Sequence, residues 1–283
     1  MSWIIFAFGS VLFFTALNLL QRLIAVKGEN PRAMAILFNG SAAIISLVIT
    51  FLTGGFKFFV FPADPAAWGV VTIAALGYAI YERGRFTAAK LLDASVFATI
   101  SNISVLVAFA GSLFLYAETM AVSKLLGGIL IIGSLFLVSA GNKQKRVSQK
   151  GMVIGIIISI ALGLAWMLDK SGVGYFNAIT YNILMWTIPT LFIYLPGMKP
   201  EVIKKEFKLV SWKIFVLAGM NVAGYLMQLK AMETAEATRV IPIVQTSTLF
   251  TVLLGIIWLK EKENIYKKII AGIMAVAGVY FLV

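Results

Sequence analysis

The chain of 283 residues contains neither histidine nor cysteine. The first absence removes the imidazole base, the second removes the thiol nucleophile and the disulfide, and together they remove the Cys/His metal sites. Redox compartment therefore leaves no mark on this sequence. Carboxylates are also few, 12 Asp and Glu against 24 Lys and Arg, and no D-D-x-x-D-like pair occurs among them. An enzyme would have to work with scattered carboxylates, hydroxyls and amines, so a non-enzyme without cofactor or metal is expected. Long polar stretches are missing too. The longest, at about 199–213, is only loop-sized, which leaves no room for a soluble domain.

What is present is apolar. Hydrophobic residues make up 60% of the chain and the mean hydropathy is +0.95, well above the roughly 45–50% apolar share of a soluble domain. An integral membrane protein is expected. The start, MSWIIFAFGS, has no basic n-region and no small-residue cleavage site after it, which reads as a retained first span and not a signal peptide. A span needs about 20 apolar residues to cross roughly 30 Å of hydrocarbon. Ten such segments occur, at 3–25, 31–53, 66–85, 92–116, 122–140, 151–170, 175–195, 212–230, 238–259 and 265–283. All should be helices, because lipid leaves no other partner for backbone polar groups and the alternation of a membrane barrel is lacking. Within the polar interval, EVIKKEFKLVSW sets Val202, Ile203, Phe207 and Val210 opposite Lys204, Lys205 and Lys208. That pattern suits a short helix on the membrane surface as well as it suits a solvated basic loop.

The chain states one design twice. Residues 93–118, DASVFATISNISVLVAFAGSLFLYAE, align without a gap on 236–261, EATRVIPIVQTSTLFTVLLGIIWLKE, at a shift of 143. Asp93 falls on Glu236, Ser95 on Thr238, Thr99 on Pro242, Asn102 on Gln245, Ser104 on Ser247 and Glu118 on Glu261. The expected fold is thus all-α, with ten transmembrane helices in two five-helix repeats, 1–143 and 144–283, around a central cavity. GNKQKRVSQK is the linker between them. Five is odd, so the two repeats must enter the membrane in opposite orientations.

Charge agrees. The loops after odd-numbered spans hold 19 basic residues and those after even-numbered spans hold 5. The odd-numbered loops are therefore expected in the cytoplasm of a multi-pass plasma-membrane protein, with both termini outside. The net charge of +12 follows from this topology and not from nucleic-acid binding.

Polar residues inside spans are costly and so informative. The same shift sets Tyr78, Glu82 and Arg85 on Asn221, Tyr225 and Gln228, each trio at i, i+4, i+7 on one helical face. Spans 4 and 9 carry matching stripes, Ser95/Thr99/Asn102 and Thr238/Pro242/Gln245. The candidate cavity residues are Asn18, Tyr78, Glu82, Ser95, Thr99, Asn102, Trp166, Asn221, Tyr225, Pro242 and Gln245. Asn102 and Gln245 can serve a site or act as interhelical glue. Pro242 leaves a free carbonyl or an ordinary kink. Glu82 could bind a proton or a substrate ammonium, although an ion pair with Arg83 or Arg85 at the surface is the preferred reading. Arg22, Asp169 and Lys170 are expected to snorkel at span ends. Glu118 and Glu261 should serve loop structure beside Lys124 and Lys262. Gly151, Gly155, Ser159 and Gly163 form a small-residue ladder, expected between helices of one chain.

Ten spans in this length, the two repeats, and a Glu closing spans 4 and 9 resemble the drug/metabolite transporter superfamily, in particular its EamA-type members. Relatives tend to have Gly-Glu where this chain reads Ala117-Glu118 and Lys260-Glu261, and Ala165-Trp166 in span 6 is similar to a family pattern. The resemblance implies a cavity lined by spans 1, 3, 4, 6, 8 and 9 that opens alternately to either side. It implies a secondary transporter that carries a small polar metabolite, often outward, in a lipid bilayer. Coupling to a proton or counter-substrate and the oligomeric state stay open. Many relatives keep both termini in the cytoplasm, whereas the charges here argue the reverse. The alternative is a membrane-embedded lipid-handling or lipid-modifying protein whose basic loops hold anionic headgroups.

Overall fold

The computed structural model describes residues 2–24, 29–92, 94–119, 121–139, 148–258 and 265–283. The described residues form helices and no strand: α1 (Ser2–Ile24), α2 (Pro31–Leu52), α3 (Pro65–Leu91), α4 (Ala94–Ser101), α5 (Ile103–Leu115), α6 (Val122–Ser139), α7 (Gln149–Tyr194), α8 (Pro200–Val210), α9 (Lys213–Thr234), α10 (Ala237–Gln245), α11 (Ser247–Trp258) and α12 (Ile265–Leu282). Among the described residues six helical runs are long and apolar enough to cross a membrane: α1, α2, α7, α9, α12, and α4 with α5 taken together. Residues 141–147 of the central linker, with Asp93 and Glu261, lie outside the described residues.

Helix starts follow local chemistry. Asn30 accepts hydrogen bonds from the Arg32 and Ala33 amides ahead of Pro31, Asp64 accepts from Ala66 ahead of Pro65, and Ser148 accepts from Gly151. These are side-chain caps for orphan donors, with proline at the first helical position in two of the three. The expected spans 4 and 9 are each interrupted. Asn102 separates α4 from α5 and Thr246, just after Gln245, separates α10 from α11. The Val105 amide donates to the Asn102 carbonyl and the Leu249 amide to the Thr246 carbonyl, so both interruptions are single tight turns, one residue apart in the alignment of the two segments.

The expected loop at 171–174 does not form. Helix α7 continues to Phe176 and reverses at Asn177, whose φ of 57° and ψ of 165° break the helix. Asn177 then caps the second arm (178–194) by accepting from the Thr180 amide, and its own amide donates to the Phe58 carbonyl at 2.7 Å. The Ala178 amide donates to Glu233. Asp169 thus lies inside the first arm (149–176), eight residues or about 12 Å before the turn.

Helices α3 and α5 pack on the first arm of α7, α1 and α11 pack together and α1 also packs on α9, and α6 packs on α12. Gly163 brings α7 against the Ser104 carbonyl, where a Cβ would stand at 2.6 Å. Together with Gly151 against Leu91 and Leu92, and Gly155 against Ile100, this places the span 6 ladder between helices of one chain, as expected. Gly127 and Gly278 meet backbone to backbone between α6 and α12 in the same manner.

The polar interval is helical. Lys204, Lys205 and Lys208 are exposed, but Glu206 takes the inner face and accepts from the Asn30 amide at 3.0 Å, while Phe207 is turned outward against Phe215. One end of the bundle is tied by Arg32 to the Ile193 and Tyr194 carbonyls, Arg83 to Leu195, and Lys205 to Glu29. The hydrogen bond and charge of Lys205 hold the Glu29 carboxyl below the usual carboxylate range. The other end is tied by Asn177 to Phe58, Lys170 to the Met232 carbonyl, and Lys124 to Glu236. Among the described residues, the loops after expected spans 1, 3 and 7 meet at the first end and those after spans 2, 4, 6 and 8 at the second.

Candidate functional site

Asp169 is completely buried. Three helical segments bring a tyrosine to it. From α3, Tyr78 donates its hydroxyl to Oδ2 at 2.6 Å; from α9, Tyr225 donates to Oδ1 at 2.9 Å. From the second arm of α7, the Tyr181 ring lies flat on Gly172, one turn along from Asp169, where no other residue would leave it room. The buried Tyr181 hydroxyl also faces Asp169, as a more distant third phenol beside those of Tyr78 and Tyr225. The rings of Tyr78 and Tyr225 meet edge to face at 5.8 Å, and Trp186 meets Tyr225 at 5.7 Å. Trp186 is steered in turn by Asn182, which accepts from its indole at 3.1 Å and donates to Ser46 at 2.8 Å. Gln228, one turn beyond Tyr225, keeps its amide nitrogen buried and unpartnered.

No lysine or arginine pairs with Asp169 among the described residues. Lys170, its neighbour in sequence, directs its ammonium to the Met232 carbonyl at 2.6 Å. The site is a carboxylate walled by aromatic rings and phenol hydroxyls. Among the described residues no cluster of three or more Asp or Glu side chains forms that could hold a metal ion.

Of the residues singled out in the sequence, the structure brings Tyr78 and Tyr225 together through a residue that reasoning had assigned to the surface. Asp169 does not snorkel. The expected span end at residue 170 was two turns too early, so a residue read as terminal is interior. The signal available was Asn177, which tolerates a left-handed turn, together with the Gly172 and Tyr181 pair. Glu82 leaves the stripe it shares with Tyr78. It accepts from Asn39 at 2.8 Å and pairs with Arg85 at 2.9 Å, and the guanidinium lies over the Phe38 and Phe86 rings. The expected ion pair is present, but Glu82 is 6% exposed, so it is buried and not at a surface. Glu118 does not pair with Lys124. It holds the start of α10, while Lys124 pairs with Glu236.

Asn18, Trp166, Asn221, Thr99 and Gln245 all keep part of their surface exposed, while Asn102 and Pro242 are buried. The side chain of Ser95 lies outside the described residues. A cleft of about 260 Å³ between α1, α11 and α12 is apolar except for Thr246 and has none of the Asp169 residues in its wall.

Residues 149–283, which carry Asp169, Tyr181 and Tyr225, match the EamA-like transporter family. The match covers the second half of the chain alone, and six helical runs long and apolar enough to cross a membrane accompany it. A solved crystal structure superimposes on 99% of the chain and 96% of its own length with a TM-score of 0.76 at 14% identity, which establishes the shared fold. No curated protein matches the chain by sequence.

The cage can be weighed by removing one donor. Tyr225→Phe keeps the ring and its contacts with Tyr78 and Trp186 but leaves Oδ1 of Asp169 without a donor. A loss of about 1–3 kcal/mol is expected, read as a lower melting temperature of the detergent-solubilised protein. An unchanged melt would show that the hydroxyl contributes nothing to the folded state.

Proposed function

We propose that the chain is a secondary transporter that moves a small polar metabolite across the plasma membrane by alternating access, with export as its direction. The observation that carries this reading is Asp169, a buried carboxylate reached by tyrosines from α3, α9 and the second arm of α7. A charge kept in such a place is costly and marks a ligand pathway. Partly exposed polar groups on α1, α7, α9 and α10, namely Asn18, Trp166, Asn221 and Gln245, would form the wall of the path.

Two further features support alternation. The helix pairs exchange when the halves are exchanged: α1 on α9 answers the first arm of α7 on α3, and α6 on α12 answers itself. That is the packing expected of two inverted five-helix repeats. The interrupted spans α4–α5 and α10–α11 supply hinges at equivalent places. The basic end around Arg32, Arg83 and the α8 lysines faces the cytoplasm in this reading.

Proteoliposomes holding the purified chain should exchange a radiolabelled metabolite pool by counterflow, and empty liposomes should not. Absence of counterflow for every component of a mixed pool of amino acids, amines, sugars and nucleotides would overturn the carrier reading.

A further inference from the structure

We propose that the cleft between α1, α11 and α12 is a binding site for one acyl chain of a membrane lipid, which sits beside the α10–α11 turn and sets the position of α11. The cleft shares no residue with the Asp169 site. Its origin lies in the repeat. The shift of 143 that aligns spans 4 and 9 also carries α6 (Val122–Ser139) onto α12 (Ile265–Leu282). Gly272, Ala275 and Val279 of the cleft wall then stand where α6 has Ile129, Ile132 and Phe136. Three wall positions of the second repeat have thus lost side-chain volume. Among the described residues a Cβ on Gly272 would meet only Leu253, at the ordinary contact distances of 3.7 and 3.8 Å.

Depth and lining select the occupant. Phe8, Phe250 and Val276 wall the cleft within α1, α11 and α12 and are exposed on the outside of the bundle, so it opens sideways to hydrocarbon. Its one polar side chain, Thr246, spends its hydroxyl on the Ile243 carbonyl at 2.6 Å, which leaves no side-chain donor for a headgroup, a metabolite or water. An apolar cavity of this kind stays dry. Left empty, it would forgo dispersion contacts along its whole wall. Size separates the remaining candidates. Because an apolar cavity of about 150 Å³ takes a benzene ring, the volume here of about 260 Å³ takes about ten carbons, a stretch of one lipid tail. A helix of a second copy is about 10–12 Å across with its side chains and does not fit.

The site bears on conformation through Thr246. That residue stands at the break between α10 and α11, and the Leu249 amide closes the turn on its carbonyl. Helix α1 grips the next residue, since Thr15 donates its hydroxyl to the Ser247 carbonyl at 3.3 Å. An acyl chain lodged between α11 and α12 therefore props α11 at its distance from α12 while α1 holds the turn. Its departure frees α11 to swing about that turn.

The test uses phosphatidylcholine vesicles that hold the purified chain and a trace of phosphatidylcholine with a diazirine midway along one acyl chain. Illumination should place adducts on the exposed Leu126 and Ile129 of α6 and also on Leu249 and Ala275, which are 2% and 5% exposed and are reached from within the cleft. Gly272→Leu puts a side chain into the cleft and should lose the Leu249 and Ala275 adducts while those on α6 stay. Val276→Phe, at the mouth, gives the same reading if the first variant does not fold. Amide hydrogen exchange at 246–250 should slow when phosphatidylcholine is returned to delipidated wild type, and should ignore lipid in Gly272→Leu. Adducts confined to α6, or cleft adducts that survive both variants, would overturn the site. Exchange at the turn that ignores lipid in the wild type would overturn its hold on α11. The chain has no cysteine, so Val276→Cys supplies a lone thiol; a disulfide between copies in place of the lipid adducts would give the cleft to a second copy and overturn the proposal. None of these readouts uses flux, so failure of the carrier reading leaves them standing.

Discussion

Gly172→Ala is expected to destabilise the protein by about 2–3 kcal/mol and to abolish exchange, whereas Gly174→Ala, two residues on, is expected to stabilise it by up to about 1 kcal/mol. A Cβ on Gly172 would stand 2.1–2.6 Å from three ring carbons of Tyr181. That ring is fully buried. Its backbone is held by the reversal at Asn177, itself tied to the Phe58 carbonyl. Ala is the better helix former by about 1 kcal/mol, but overpacking a closed site costs up to about 3 kcal/mol and sometimes more, so the clash wins. At Gly174 a Cβ meets nothing within 4 Å, and only the helix term acts. Thermal melts of the two variants in detergent, with metabolite counterflow beside them, check the pair. Equal melting temperatures would mean that Tyr181 is not fixed by Gly172 and that the cage is looser than the structure places it.

The contrast between those glycines locates what the sequence made legible. Its apolar runs placed the helices, because lipid-length hydrophobic segments have one economical backbone solution. The interruptions of spans 4 and 9 were not read from it: each was expected as one helix, and the breaks fall at Asn102 and at Thr246, just after Gln245. Tyr78 and Tyr225 were legible as candidates from shared helical faces. Their meeting point was not. Asp169 stood next to Lys170 in a sequence that offered Gly172 and Gly174 as a turn, and glycine is an equally good small residue for close packing. Choosing between turn and packing needs the tertiary contact with Tyr181, which no local pattern contains. Glu82 shows the converse. An ion pair with Arg83 or Arg85 was expected and forms with Arg85, but its burial was not expected, because that depends on Asn39 from another helix. The resemblance to the drug/metabolite superfamily also gains a physical reason. Relatives tend to carry Gly where this chain has Ala117, and Ala117 has a φ of 45°, a left-handed conformation that glycine adopts without strain.

That strained residue aims Glu118, and Glu118→Ala is expected to cost about 3–5 kcal/mol. The carboxylate accepts from the Ala237 amide at 2.9 Å, from the Thr238 amide at 3.2 Å and from the Thr238 hydroxyl. It therefore caps α10 from the residues just after α5, far away in the sequence, with the negative charge placed at the helix start where the dipole favours it. A cap alone is worth about 0.5–2 kcal/mol. Here the site is 9% exposed, so the truncation leaves three donors without an acceptor and little water to replace it, at about 1–3 kcal/mol for each one that stays dry. The neighbouring Lys124–Glu236 pair, with Arg239 on the same carboxylate, holds the α10 start in place and limits how far it can relax to find other partners. Glu118→Gln keeps an oxygen for the backbone amides and loses the charge, so it should fall between wild type and Ala. Thr238→Val removes only the hydroxyl donor and should cost about 1–2 kcal/mol by itself. In the double variant Glu118→Ala/Thr238→Val the two losses should be less than additive by at least 0.5 kcal/mol, the sign of a shared contact. Strict additivity in denaturation of the solubilised protein would mean that the contact carries no coupling and that α10 starts without help from the first repeat.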